Sequence, residues 1–428
     1  MSSVIMKKGV KTVSAAFRRS WNTARHLCGL AVRRAKRAVT IHLLQVIRLG
    51  KLVPPRRRFL AKVTDRARRM RELGFKGLLP IKQPAVIGLD IGSSAVKAVR
   101  LQKDASGMTI KAAAFVPIVP GEEYPDNRGH GAGRAQQISE AVRGCLKTTD
   151  NRTKLVVCGL SGPEVAVRCF EFPPLPPHEI QQAVRLEAAQ VCPFGGDKHS
   201  VDYQVTGQNE TSVSGVLVAA TEAIIQRKTR LAETAAATCV LMDVDGLALL
   251  NCLGQYQNEG AGTRETAVLS VGNSCTTIAA CDRDGKPFVR DIAFGGNDII
   301  TSAARKIGIS PEAVREAICD FNDVTSDGSK LTAVLDLACR RLASEVAKTL
   351  KYYAAERKTP PVKRLLVCGG FALVDGLVKL LDERLPLEVV VWNPFETMGC
   401  AANRQQLDVI QRYGPAMAVA VGLAMRSI

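Results

Sequence analysis

The chain has 428 residues, 46% of them hydrophobic and 23% charged, enough apolar material for two or three packed domains without disulfide or metal staples. Its formal net charge is +19, yet residues 1–82 hold 22 Lys+Arg against only Asp65 and Glu72, so the head is +20 and the remainder −1. A near-neutral body excludes reading the whole chain as a nucleic-acid binder on charge, and no run of eighteen apolar residues argues for a membrane-spanning helix.

The head, residues 1–82, alternates Arg33-Arg34, Lys36-Arg37 and Arg56-Arg57-Arg58 with apolar patches such as Ile41 to Leu44, and Pro54-Pro55 interrupts it. Four readings compete. The segment is disordered or without a role, because such a composition cannot build a core. It forms amphipathic helices that rest on an anionic membrane surface. It binds nucleic acid non-specifically, which is the least expected of these contacts. Its Arg-rich, acid-poor make-up also has the look of a transit peptide, while a secretory leader is absent. The 13 Cys run from Cys28 to Cys400 without a C-x-x-C pair. Cys158, Cys239, Cys275 and Cys368 fall in apolar runs and read as small buried hydrophobes of a reducing compartment. The five His do not cluster with Cys, so no zinc site is expected.

Order is expected from about Pro84. Residues 85–91 read as a strand, Gly92-Ser93-Ser94 as a turn, and 95–101 and 108–115 as two further strands. Residues 117–134 read as loop and 136–147 as helix. Strands follow at 154–159 and 165–172, the second closed by the prolines of 173–177. A helix then runs from His178 to Gln190, as Pro at a helix start favours. Strands at 200–207 and 215–221 precede a helix over 222–236. A strand at 238–245 precedes a helix over 246–256. The opening pattern then returns: a strand at 266–271, the turn Gly272-Asn273-Ser274, a strand at 275–281, a hairpin turn at 282–285, and a strand at 286–292. Phe294-Gly295-Gly296-Asn297 opens a helix, 333–356 is helical, 364–368 is a strand ending at Gly369-Gly370, and 415–425 is an apolar helix. Two halves that begin alike suggest two related domains facing a cleft, with ligands at the carboxyl ends of the strands.

The strongest chemical signal is the turn after the first strand. Glycine admits close approach to an anion, Ser93 and Ser94 offer hydroxyls, and Asp90 at the strand end suits Mg²⁺ held through water. An ordinary β-turn uses the same residue types, so the motif alone leaves both readings open. The turn at Gly272–Ser274 would clamp the same phosphates from the other side, but Ser270 stands where a matching acid is expected. Gly369-Gly370 would let a nucleoside lie flat on the backbone, or is simply a turn needing positive φ.

Taken together, the residues resemble the actin/Hsp70/FtsA ATPase superfamily: Asp90 to Ser94 its first phosphate motif, Ser270 to Thr277 its second, Leu366 to Gly370 its adenosine motif. Within it the chain is similar to the PilM type of type IV pilus assembly protein. That narrowing rests on Leu175 to Phe194, Asp243 to Leu250, Phe294-Gly295-Gly296, Asn393-Pro394-Phe395 and Ala418 to Ala424. The resemblance runs from about Ala85 to Ser427 and leaves the head uncovered.

The resemblance implies an α/β, bilobal actin-like fold with an FtsA-type (SHS2-like) subdomain inserted in the first lobe. The expected divisions are the head at 1–82, the phosphate-loop part of the first lobe at 83–154, the insert at 155–240, a return to the first lobe at 241–262, and the second lobe at 263–428. It implies ATP with Mg²⁺ between the lobes, bound by Asp90, Gly92, Ser93, Ser94, Lys97, Gly272, Ser274, Gly369 and Gly370, with the metal on Asp90 through water. Asp90, Asp243 and Asp245 are the candidates for catalysis. Ser270 cannot supply charge, so at most a weak ATPase is expected. The implied partner is the short cytoplasmic N-terminal peptide of a PilN-like inner-membrane protein. The implied location is the cytoplasmic face of the inner membrane, with assembly into a ring or other oligomer compatible. A nucleotide-free pseudo-ATPase adaptor of a related secretion or division complex is the alternative. An FtsA-like division protein is disfavoured because no amphipathic tail follows Met425, and a small-molecule kinase because no second substrate pocket is marked.

Overall fold

The protein is represented by a computed structural model that describes residues 86–426 apart from 105–106, 119–129, 150–153, 193, 195–196, 259–264, 320–327 and 375. The basic head and the readings placed on it lie outside the described residues. From the start of order, β1 (Ile87–Ile91), β2 (Ala95–Asp104) and β3 (Gly107–Pro117) form an antiparallel meander. Helix α1 (His130–Thr149) crosses over to β4 (Leu155–Leu160), which lies parallel to β1. Then come β5 (Val165–Phe172), α2 (Pro177–Val191), β6 (His199–Gln208) and β7 (Val213–Thr221). Helix α3 (Glu222–Thr234) leads to β8 (Thr238–Val244), parallel to β4, and to α4 (Asp245–Asn258).

The second half repeats this design. Strands β9 (Thr266–Val271), β10 (Thr276–Cys281) and β11 (Pro287–Ile292) form a second meander. Helices α5 (Gly296–Ile307), α6 (Pro311–Cys319) and α7 (Gly328–Arg357) precede β12 (Arg364–Cys368), parallel to β9. The chain then adds α8 (Leu377–Asp382), β13 (Glu388–Val391), β14 (Gly399–Cys400), α9 (Arg404–Tyr413) and α10 (Ala418–Ala424). The sheet orders are β14-β3-β2-β1-β4-β8 and β11-β10-β9-β12-β13. In each, the first strand of a meander takes a parallel partner on its free side. The duplication seen in the motifs is therefore a duplication of topology.

Central strands explain themselves. Strand β1 is buried along its whole length and β12 at four of its five positions, as central strands covered on both faces require. Helix α10 is apolar on every face and buried throughout, so it sits inside the molecule. It packs with α4 between the two sheets. Ala248, Leu249, Cys252 and Val421 share one core with Val99 and Val157 of the first sheet and Val268 and Leu366 of the second. The approach is close: a Cβ on Gly422 would lie 1.9 Å from the Ala248 carbonyl oxygen, and one on Gly88 2.1 Å from that of Ala420. A continuous core beneath both meanders fixes their turns at the mouth of one cleft.

The insert is smaller than the 155–240 expected from sequence. Strands β4 and β8 belong to the six-stranded sheet, leaving the antiparallel sheet β5-β7-β6 as the inserted module, residues 165–221 with α2 on one face. Ile180, Val184 and Ala188 recur every fourth residue of α2 and pack on Phe170, Val213 and Leu217. The apolar run of β4 would look the same in either sheet; only its pairing with β1 separates the two. The helix expected over 415–425 begins as a 3-10 turn at Gly414–Met417, and α6, α8, β13, β14 and α9 add elements to the sequence reading.

Candidate functional site

Two turns face each other across the cleft, built alike. The Gly92 N–H donates to the Ala95 carbonyl at 3.1 Å, and the Gly272 N–H to the Cys275 carbonyl at 3.0 Å. Each closes a two-residue hairpin tip, Ser93-Ser94 and Asn273-Ser274. The tips touch: the Ser93 and Ser274 hydroxyl oxygens are 2.6 Å apart, and the Asn273 amide donates to Ser93 Oγ at 3.4 Å. The expected phosphate residues of both lobes are thus brought together.

Behind the first turn, Asp90 and Lys97 are cross-strand partners and form a half-buried ion pair at 3.1 Å. The second turn is braced by the start of α5, where the Gly296 and Asn297 N–H groups donate to the Gly272 and Asn273 carbonyls at 2.9 and 2.8 Å. The Phe371 ring packs where a Gly296 side chain would lie, so the Gly369–Gly370 turn joins the same assembly. The Gly369 N–H donates to the Pro415 carbonyl at 2.9 Å. Along α5, a cavity of about 640 Å³ is lined by Phe294, Asn297, Thr301, Arg305, Arg340 and Arg341, with the Arg341 guanidinium 4.8 Å from the centre of the Phe294 ring.

The two acids at the end of β8 part company. Asp243 is fully buried, paired with Arg426 and bonded by the Val244 N–H. Its carboxylate is committed to holding the last helix, so the structure removes it from the catalytic candidates. Burial raises its pKa and the Arg426 charge opposes the rise. Asp245 starts α4 on the cleft side. Its Oδ1 sits against Gly159 without a hydrogen-bond partner. Burial, and then the charge of Asp90, lift its carboxyl to about 7, against the pull of Lys228 and the Ser161 hydroxyl. A carboxyl lifted to about 7 lies in the range where a general base works at neutral pH, so Asp245 stays among the catalytic candidates.

Three residues enter that the motifs did not signal. Asp291 of β11 lies in one cross-strand row with Thr277 and Ser270. It accepts from Thr277 Oγ1 and from the Gly162 N–H, both at 2.6 Å, and burial raises its pKa. The acid expected at Ser270 thus appears two strands away, bonded to the segment that enters the insert. Arg134 of α1 donates to the Ser93 carbonyl, and Lys228 of α3 to the Ile91 carbonyl. No local pattern marks any of the three.

The Asp245 environment makes a prediction. In the unfolded chain this carboxyl ionises near its ordinary value of 3.8; in the fold it does so at about 7. The fold therefore binds a proton that the unfolded chain has lost, and this group's contribution falls as pH rises from about 4 to 7. Asp245→Asn removes that dependence. Its stability advantage over the parent should be roughly 1–3 kcal/mol larger at pH 8 than at pH 5. Urea unfolding at both values measures it; equal differences at the two pH values would refute the burial of an uncompensated acid.

A family profile described as type IV pilus assembly protein PilM matches residues 88–428. Among solved structures, one titled "PilM-PilN type IV pilus biogenesis complex" is 25% identical with a TM-score of 0.65, covering 81% of this chain and 98% of that one. The ethanolamine utilization protein EutJ from Carboxydothermus hydrogenoformans is 15% identical with a TM-score of 0.44, covering 81% and 92%. The archaeal actin homolog Ta0583, solved with ADP, is 14% identical with a TM-score of 0.39, covering 79% and 98%. The duplicated sheets, the facing turns and the extent of the profile match agree: the chain has the actin-like fold and belongs to the PilM family of type IV pilus assembly proteins.

Proposed function

We propose that the protein is a nucleotide-binding scaffold of type IV pilus assembly. In this reading it carries Mg²⁺-ATP between its lobes and holds the cytoplasmic N-terminal peptide of a PilN-like membrane protein at the inner-membrane face. The observation that carries the nucleotide part is the pair of matching turns, whose Ser93 and Ser274 hydroxyls meet across the cleft. The residues fit the group: glycine turns and hydroxyls for phosphate, Asp90 for Mg²⁺ through water, and Gly370 with open space above it for the nucleoside. Bound Mg²⁺-ATP would supply negative charge and bulk that set the separation of the turns. Ser270 supplies no charge where an acid is expected, so the reading is of a nucleotide held rather than rapidly hydrolysed. The partner part is supported by family membership and by the PilN component named for the similar complex.

A second reading, a nucleotide-free adaptor, is favoured by Ser270, which supplies no charge where an acid is expected. The two are separated by titrating a labelled peptide, the cytoplasmic N-terminus of the PilN-type partner, into the full chain with and without Mg²⁺-ATP. The scaffold reading expects saturable binding whose affinity changes several-fold with nucleotide. Binding indifferent to nucleotide supports the static adaptor, and no binding in either condition removes the partner assignment.

A further inference from the structure

Lys97, the lysine of the first phosphate motif, spends its charge on Asp90 at 3.1 Å. Arg134 holds the Ser93 carbonyl from an exposed position. Lys228 differs from both. It projects from α3, is half-buried, and donates to the carbonyl of Ile91, the residue just before the Gly92 turn. One of its three N–H donors goes to that neutral oxygen. Its charge is felt by Asp245 and by Cys275, which closes the second turn, so it lies within electrostatic reach of both sides of the cleft. A cation held against a carbonyl is better satisfied by a polyanion, because charge-assisted hydrogen bonds are the stronger.

The helix that carries Lys228 is held firmly. Thr221 Oγ1 accepts from the Ile224 N–H at 3.4 Å, Arg227 pairs with Glu164 at 2.7 Å, and Thr234 meets the Ser139 hydroxyl at 2.8 Å. Those contacts fix the lysine's point of origin before any ligand arrives. Helix α3 also continues directly from Thr221, the end of the insert's central strand β7.

We propose that Lys228 is a phosphate-binding cation of the cleft, supplied from outside the phosphate motifs by the helix that leaves the inserted sheet. This rests on the nucleotide reading above. In the alternative, Lys228 only caps the end of β1 and supports the fold.

The test uses the full chain and compares Mg²⁺-ATP with adenosine as competitors of a fluorescent nucleotide. Lys228→Met should weaken Mg²⁺-ATP about tenfold or more, leave adenosine unchanged, and Lys228→Arg should retain most of the affinity. A supporting role alone would lower both competitors together. A second measurement does not depend on the variants folding: lysine acetylation of the parent protein, read by mass spectrometry, should show Lys228 protected by Mg²⁺-ATP. If the parent binds Mg²⁺-ATP, Asp90→Ala loses it, and Lys228 is neither protected nor needed, the proposal is overturned while the nucleotide reading stands. If the parent binds no nucleotide, both fall.

Discussion

Arg426→Ala should cost about 3–5 kcal/mol of stability, because it leaves the Asp243 carboxylate charged and alone in the core. The two side chains are 7% and 0% exposed. Asp243 ends a strand of the first sheet, and Arg426 follows helix α10, which lies between the sheets. The pair thus closes the chain's last helix onto the first lobe. Burial already pushes the Asp243 pKa upward, and the arginine charge is a principal force opposing it. Removing the arginine strands the acid, whereas Asp243→Leu combined with Arg426→Met should recover most of the loss, since an apolar pair needs no desolvated charge. Urea unfolding of the single and double variants measures this. A loss below about 1 kcal/mol for Arg426→Ala would mean the acid finds another partner or water.

Gly369→Ala and Gly370→Ala, adjacent substitutions, should behave oppositely. Gly369 has φ +88° and ψ 169°, a region open almost only to glycine, and an added Cβ would stand 2.5 Å from the Val271 carbonyl oxygen. Backbone strain and overpacking against a central strand together make Gly369→Ala cost about 2–4 kcal/mol. Nothing lies within 4 Å of a Cβ on Gly370, so Gly370→Ala should leave stability within about 0.5 kcal/mol. In the proposed site, however, that methyl group would meet the nucleoside, and nucleotide affinity should fall roughly tenfold, about 1.4 kcal/mol. Thermal unfolding and nucleotide titration of the two variants measure the contrast. A Gly370→Ala variant that binds nucleotide like the parent would move the adenosine side away from this turn.

What could be read from the sequence was what local geometry writes into residue types. A strand ending in Asp90-Ile91-Gly92-Ser93-Ser94 states its turn in five residues, and the second turn repeats it with Gly272 and Ser274. The fourfold spacing of Ile180, Val184 and Ala188 states a helix resting on a sheet. What could not be read was produced by pairing over long distances. Lys228 reaches a carbonyl 137 residues earlier, and Asp291 reaches a backbone N–H 129 residues earlier. Neither sits in a pattern of its own, because the partner's residue type is irrelevant when the contact is to backbone. Asp243 and Asp245 looked equivalent as acids near a strand end. The strand's alternation turns one into the core, and the start of α4 turns the other toward the cleft. The edges of the insert are hard to read for the same reason: an apolar strand such as β4 does not announce which sheet it joins.

Whether the two facing turns hold a nucleotide is decided by calorimetric titration of Mg²⁺-ATP into the full chain, with Asp90→Ala beside it. The parent should show saturable one-site binding and the variant affinity about tenfold or more weaker, with both proteins equally folded by circular dichroism. No binding in the parent, or the same affinity in both, would contradict it and leave a static adaptor whose matching turns serve to hold one lobe against the other.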